Sequence, residues 1–232
     1  MTPLELLAFR SVPLRLVIFD CDGVLVDSEP PTNRLVAREL TQLGWAMTAE
    51  EAQRIFLGMN LESMVPVIES RLGIVLPEDW TDTLLQRLLK ILAEESTAIP
   101  GAVETLRALS AAGIPWRVAS NSSHAEMEIK FARIGISDLT EGRLHSHHDV
   151  PRGKPAPDLF LAAAAAEDAA PLACLVVEDS VPGVRAAAAA GMDCLGYAGH
   201  TDGAALRNAG AVLFRSMFEL PALIEAAWRT PA

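Results

Sequence analysis

Two carboxylates one residue apart, Asp20 and Asp22, stand where the apolar run Leu16-Val17-Ile18-Phe19 stops, and Gly23 follows them. Side chains alternate along an extended chain, so Asp20 and Asp22 leave the backbone on one side and Cys21 on the other. Paired carboxylates at the mouth of a buried strand repel one another and are costly to desolvate, so the pair calls for a cation. By itself the pattern fits an acidic turn equally well, and its meaning rests on what else reaches the same place. Trp116 to Ala119 runs into Ser120-Asn121, Leu172 to Val177 runs into Glu178-Asp179, and a turn carries Gly153-Lys154-Pro155. Taken singly, Ser120 reads as a helix cap, Lys154 as a solvated surface lysine and Glu178-Asp179 as an acidic helix start. In a parallel sheet, however, such strand ends open on one edge, where ligands bind, and the groups can converge there.

The elements that must hold these groups alternate. Leu16 to Phe19 reads as a fully buried parallel strand. After Glu29, Pro30 and Pro31 open a helix to about Leu43. Thr48 and Glu51 form a capping-box pattern for a second helix, which runs to about Leu57 before Gly58. A third helix spans about Leu61 to Leu72, and a fourth begins near Pro77 with Leu84, Leu85, Leu88, Leu89 and Leu92 on one stripe. Nothing from Glu29 to about Ala98 reads as a strand, so residues 28–98 are expected to be a helical insert in a core made of 1–27 and 99–232.

Beyond Ile99 the pattern predicts helices at about 102–112, 124–134 and 159–167, the last capped by Asp158, and one after Ser180 that Gly191 closes. The strands between them fall at 116–119, 172–177, 194–197 and 211–214, while 141–150 is a looser segment. Strands alternating with helices predict an α/β fold, a doubly wound parallel sheet with right-handed crossovers.

Composition narrows the function classes. A net charge of −11 without a basic run argues against nucleic acid. No apolar segment reaches the ~18 residues that span a bilayer, and Met1 to Pro13 has neither a cationic start nor a cleavage site. Cys21, Cys174 and Cys194 are odd in number and lack metal spacing, so they read as reduced thiols of a cytoplasmic protein. His145, His147 and His148 are dense but read as a polar loop, and His200 has no evident partner. Oligomeric state is left open, a monomer included.

Asp20-Cys21-Asp22-Gly23, Ser120-Asn121, Gly153-Lys154-Pro155 and Glu178-Asp179-Ser180 resemble the four signature motifs of the haloacid dehalogenase-like (HAD) hydrolases. The wider phrases Phe19 to Glu29, Lys154 to Phe160 and Val177 to Gly191 resemble the β-phosphoglucomutase-like phosphatase branch. The resemblance implies a HAD-like Rossmannoid core with a helical cap inserted after the first strand, which suits Ser28 to about Ala98. It implies that Asp20 attacks phosphorus to form an aspartyl phosphate. Asp22 would protonate the leaving oxygen and later deprotonate the hydrolytic water. The implied cofactor is Mg²⁺, held by Asp20, Asp179, the backbone carbonyl of Asp22 and, through water, Glu178. Ser120, the amide of Asn121 and Lys154, together with Gly23, would bind the phosphate. The cap would close over the site and choose the substrate, and Asn60 and Glu62 are expected to face a neutral or hydroxyl-rich leaving group, with Asn60 binding substrate. The function so implied is Mg²⁺-dependent hydrolysis of a small phosphate monoester, a sugar phosphate or a phospho-acid.

Other readings compete. A dehalogenase or phosphonate hydrolase of the same superfamily lacks an aspartate at the position of Asp22. Mutases of the branch carry a histidine five residues after the third motif aspartate and a cap arginine three residues after a glycine. Here Thr32 stands five residues after Asp27, and Leu61 stands three after Gly58. A neutral leucine cannot clamp a phosphate dianion, so hydrolysis is expected over isomerisation. A non-catalytic phospho-accepting switch also gathers acids, a hydroxyl and a lysine, but it is shorter, uncapped and lacks an acid/base two residues past the acceptor.

Overall fold

The computed structural model describes residues 2–8, 12–56, 59–199 and 201–229. Leu57 and Gly58, expected to close the second helix of the insert, and His200 lie outside the described residues, as does part of the Met1 to Pro13 segment. The chain divides into two compact units, Met1–Asp27 with Ala98–Ala232, and Ser28–Thr97. Among the described residues no helix is long and apolar enough to cross a membrane.

In chain order the first unit opens with α1 (Pro3–Ala8), β1 (Leu16–Phe19) and β2 (Val26–Asp27). The second unit follows as α2 (Glu29–Gln42), α3 (Ala49–Phe56), α4 (Leu61–Leu72) and α5 (Trp80–Glu95), ending in β3 (Thr97–Ala98). The first unit then resumes with α6 (Ala102–Ala111), β4 (Trp116–Ser120), α7 (His124–Arg133), α8 (Ser137–Thr140) and β5 (Leu144–Ser146). It continues with α9 (Asp158–Ala165), β6 (Cys174–Glu178), α10 (Val181–Ala189), β7 (Asp193–Tyr197), α11 (Gly203–Ala209), β8 (Val212–Phe214) and α12 (Leu220–Arg229).

Six strands form one sheet in the order β5-β4-β1-β6-β7-β8, and every pairing in it is parallel. Alternation along β1 shows why the strand reads as an unbroken apolar run. Val17 and Phe19 enter a core with Leu106 and Leu109 of α6, Met127 and Phe131 of α7 and Ile224 of α12. Leu16 and Ile18 enter another with Leu159 and Phe160 of α9, Val184 and Ala187 of α10 and Leu206 of α11. All four β1 side chains are fully buried, each worth roughly 1.5–3 kcal/mol. Small alanines on α9 and α10 fill the second face, as their helix-forming, close-packing character predicts.

In the second unit, the described parts of α2, α3 and α4 bury Val36, Leu40, Ala52, Phe56, Met64 and Ile68 together. Thr48 and Glu51 exchange the two hydrogen bonds of a capping box, at 2.8 and 3.2 Å.

Four features depart from expectation. The 141–150 segment contains β5, a three-residue edge strand whose Leu-His-Ser sequence carries a single apolar residue. Thr97–Ala98 is a two-residue strand pairing with β2, inside a stretch expected to be wholly helical. Asp158 is the first residue of α9 and not its cap, and its carboxylate takes Arg152 at 2.9 Å instead. The helices α1, α8, α11 and α12 are likewise not expected from the sequence pattern.

Candidate active site

β1 sits between β4 and β6, so its C-terminal mouth is flanked by theirs. Phe19 is level with Val118 on one side and Val177 on the other, and the Asp20 amide donates to Val177 O at 2.9 Å. This register sets Asp20 level with Glu178 and one residue short of Ser120. The chain crosses to opposite sides of β1 in its two halves, which makes this mouth a topological switch point of the sheet.

The lysine expected to join them does so. Lys154 Nζ donates to Asp20 Oδ1 at 2.5 Å and to Glu178 Oε1 at 2.7 Å, with only 4 % of its side chain exposed. Asn121 holds this lysine's backbone at both ends: Lys154 N–H donates to Asn121 Oδ1 (2.9 Å) and Asn121 Nδ2 donates to Lys154 O (3.2 Å). Burial raises Asp20, Lys154 pulls it down, and Glu178 and Asp22 raise it again, leaving it pushed up to about 7. Burial works against the Lys154 charge, but the two facing carboxylates outweigh it and hold its pKa above the ordinary lysine value.

Glu178 is fixed on all sides. Its Oε2 accepts from the Asp179 and Ser180 amides and from Ser180 Oγ, at 2.9, 2.8 and 2.9 Å. Ser180 caps α10 as expected, accepting from Gly183 N–H at 3.1 Å. Asp20, Glu178 and Asp179, all buried, offer ligand oxygens within 4.8 Å of one another, and among the described residues no other group of three or more potential ligands forms. Such a donor set, all carboxylate oxygen without nitrogen or sulfur, fits a hard divalent cation. The histidines do not assemble in this way. His145 lies 3.3 Å from Arg117, His147 and His148 pack ring on ring at 3.8 Å, and His124 pairs with Asp149.

Asp22 faces a different partner. Lys130 Nζ, from α7, donates to both of its oxygens at 2.7 and 2.8 Å, and Ser122 Oγ donates to Oδ2 at 2.7 Å. Ser120 is 2 % exposed, and its Oγ accepts from the Ser122 amide at 3.1 Å. Cys21 turns into the core, where burial pushes its thiol up, consistent with packing and not attack. Asn60, in the second unit, caps α4 by accepting from Ser63 N–H at 2.9 Å.

Gly23, expected among the phosphate-binding groups, donates its N–H to Val26 O at 2.8 Å. What it supplies is room: at φ +77° a Cβ would lie 2.0 Å from Asp179 Oδ2.

A family model described as haloacid dehalogenase-like hydrolase matches residues 14–191. The chain belongs to this family. This HAD hydrolase is 27% identical over 214 residues to the 6-phosphogluconate phosphatase of Escherichia coli (strain K12), covering 92% of this chain and 96% of that one. It is 31% identical to hexitol phosphatase A of the same strain, over 84% of this chain and 88% of the relative. Among solved structures, a HAD family hydrolase from Deinococcus radiodurans R1 with bound phosphate and sodium matches with TM-score 0.78 and 37% identity, over 95% and 99% of the two chains. The HAD hydrolase thus spans phosphatases nearly end to end.

Lys130 was missed by sequence reasoning, although a signal existed. It stands on the buried face of α7 between Met127 and Phe131, where an apolar residue is the norm, and it is 2 % exposed. A lysine there needs a carboxylate, and Asp22 supplies it. Ser122 and Gly183 are further missed positions in the HAD core. A Cβ on Gly183 would lie 1.7 Å from Glu178 Oε1. We therefore expect Gly183→Ala to push the Glu178 carboxylate out of the cluster while the helix itself gains slightly. A Mg²⁺ titration of activity should show a requirement raised about tenfold or more, the usual scale for a disturbed outer ligand. An unchanged requirement would remove Glu178 from the metal's surroundings.

Proposed function

We propose that this hydrolase cleaves small phosphate monoesters, sugar phosphates or phospho-acids, with Mg²⁺ and through an aspartyl phosphate on Asp20. The observation that carries the reading is one juxtaposition. A buried carboxylate is gripped by a buried lysine, next to two further buried acids, and a second carboxylate two residues on has partners of its own. The phosphatase relatives, one acting on 6-phosphogluconate and another on hexitol phosphates, favour a hydroxyl-rich leaving group.

Asp20 attacks phosphorus as the bond to the leaving oxygen breaks, and Asp22 gives that oxygen a proton. Asp22 then takes a proton from water as the water attacks the aspartyl phosphate, which breaks the bond to Asp20 and releases inorganic phosphate. Lys154, Ser120 and the amide of Asn121 meet the non-bridging oxygens where charge builds up. Asn121 serves twice, because its side chain also fixes the Lys154 backbone. Asp20 and Asp179, the Asp22 carbonyl and, through water, Glu178 would hold Mg²⁺. When bound, it supplies positive charge to the phosphoryl oxygens. The unit of residues 28–97 is the proposed cap, and substrate choice is assigned to it. Three buried cysteine thiols suit the reducing cytosol, where we place the enzyme.

The test is phosphate release across a panel of monoesters, with and without EDTA. Activity should vanish with the chelator and return with Mg²⁺, and turnover that survives EDTA would sink the reading. A second measurement separates hydrolysis from isomerisation. With Leu61 first in α4 where the mutases carry their arginine, β-glucose 1-phosphate should release phosphate and form negligible glucose 6-phosphate. Glucose-6-phosphate dehydrogenase detects the glucose 6-phosphate formed, with a catalytic trace of the bisphosphate present. Isomerisation outrunning release would make the chain a mutase.

A further inference from the structure

The reaction needs Asp22 to move a proton at two moments, so its carboxylate must keep one orientation. The backbone does part of this, since Asp22 bridges to Val26. The rest comes from Lys130 and Ser122. The three ammonium donors of Lys130 meet three acceptors, both Asp22 oxygens and Ser122 Oγ at 2.8 Å. Ser122 Oγ in turn donates to Asp22 Oδ2, and its own carbonyl accepts from Ser146 Oγ at 2.8 Å. The origin of the lysine is also pinned, because Ser123 and Glu126 form a capping box at the start of α7.

Exposure gives the pair a direction. The Lys130 side chain is 2 % exposed and the Asp22 side chain 30 %. The cation therefore stands behind the carboxylate, on the protein side, and the carboxylate is the end that meets solvent. Oδ2 accepts from both Lys130 and Ser122 and Oδ1 accepts from Lys130, so the orientation of the whole carboxylate is set from the protein side. A buried lysine needs an acid to offset its desolvation. This one is spent on a half-open carboxylate at the mouth of β1.

We propose that Lys130, seconded by Ser122, is a positioning residue that fixes the Asp22 carboxylate for proton exchange with the leaving oxygen and with water. The inference rests on the acid/base reading of Asp22. It concerns orientation, and it makes Lys130 act through Asp22 without touching substrate.

Leaving-group dependence tests it. A p-nitrophenolate departs without a proton, whereas an alkoxide needs one. In the whole Mg²⁺-loaded enzyme, Lys130→Met should lower kcat/KM for an alkyl phosphate about 10²-fold, the scale of general acid catalysis. The loss for p-nitrophenyl phosphate should be far smaller. Asp22→Asn should show the same contrast, and adding Lys130→Met to it should cost nothing more, because both remove one function. Equal losses on the two esters, or additive losses in the double variant, would make Lys130 structural and overturn the proposal. No contrast in Asp22→Asn itself would remove the acid/base reading first, and this inference with it. Should Lys130→Met fail to fold, Ser122→Ala carries the same comparison. It deletes one donor to Asp22 Oδ2, so the alkyl ester should again lose more than the aryl ester, and equal losses would overturn the proposal.

Discussion

Asp20→Asn should abolish turnover, by on the order of 10⁴-fold or more as for other covalent nucleophiles, and leave the metal-free fold at least as stable as before. The two outcomes have one origin. Asp20 is 7 % exposed and faces Glu178 and Asp179, so its charge is useful to chemistry and unwelcome to the fold. Its pKa of about 7 in the folded chain lies above the ordinary carboxylate value of 3.8. A raised acid binds its proton more tightly when folded, so the associated stability is complete below the unfolded value and is lost as pH rises through about 7. At about pH 8 in EDTA the ionised Asp20 therefore weighs against folding, while the isosteric amide does not and can still accept from Lys154. Thermal unfolding in EDTA should give the Asn variant an equal or higher Tm at about pH 8, with the difference closing towards about pH 4. Mg²⁺ should reverse the order, because a cation favours the carboxylate. Near-native turnover would end the covalent mechanism, and a large loss of Tm in EDTA would mean that Asp20 holds the fold together.

The contrast between catalytic and architectural residues also explains what could be read from the chain. Leu16 to Phe19 announced β1 because a strand buried on both faces has no polar alternation to hide it. Ser120 and Glu178 were legible for the same reason, as polar residues ending apolar runs. Lys154 lies in an irregular turn, and only its motif neighbours placed it; no periodicity leads to a lysine 134 residues from its carboxylate. β5 escaped because an edge strand three residues long needs little hydrophobicity. Asp158 was misassigned since an acid before an apolar run suits either the cap or the first turn, and the competing attraction of Arg152 is a tertiary matter. Gly23 and Gly183 show the remaining gap. Their value is the side chain they omit, which becomes visible only when Asp179 and Glu178 are seen filling the space.

Lys154→Met should damage stability and activity together, and Mg²⁺ should repair only the first. Lys154 Nζ touches Asp20 and Glu178, and its side chain, like that of Glu178, is almost wholly buried. Methionine keeps the length of the apolar stem, so packing is nearly conserved. What disappears is the charge facing the acids, 4.8 Å from the Phe160 ring. Removing one partner from a buried ion pair costs about 3–5 kcal/mol because the other partner stays behind uncompensated. Urea unfolding in EDTA should show a loss of that order. On the proposed reading a divalent cation would bind the same acids, so unfolding in excess Mg²⁺ should show much of the deficit restored. Turnover should stay down by about 10²–10³-fold even then, since a preorganised donor to the phosphoryl oxygens is missing. The split between the two readouts is the decisive feature. Stability unchanged in EDTA would mean that Lys154 does not offset the acids, and activity returning with Mg²⁺ in step with stability would reduce it to a counter-ion with no part in binding phosphate.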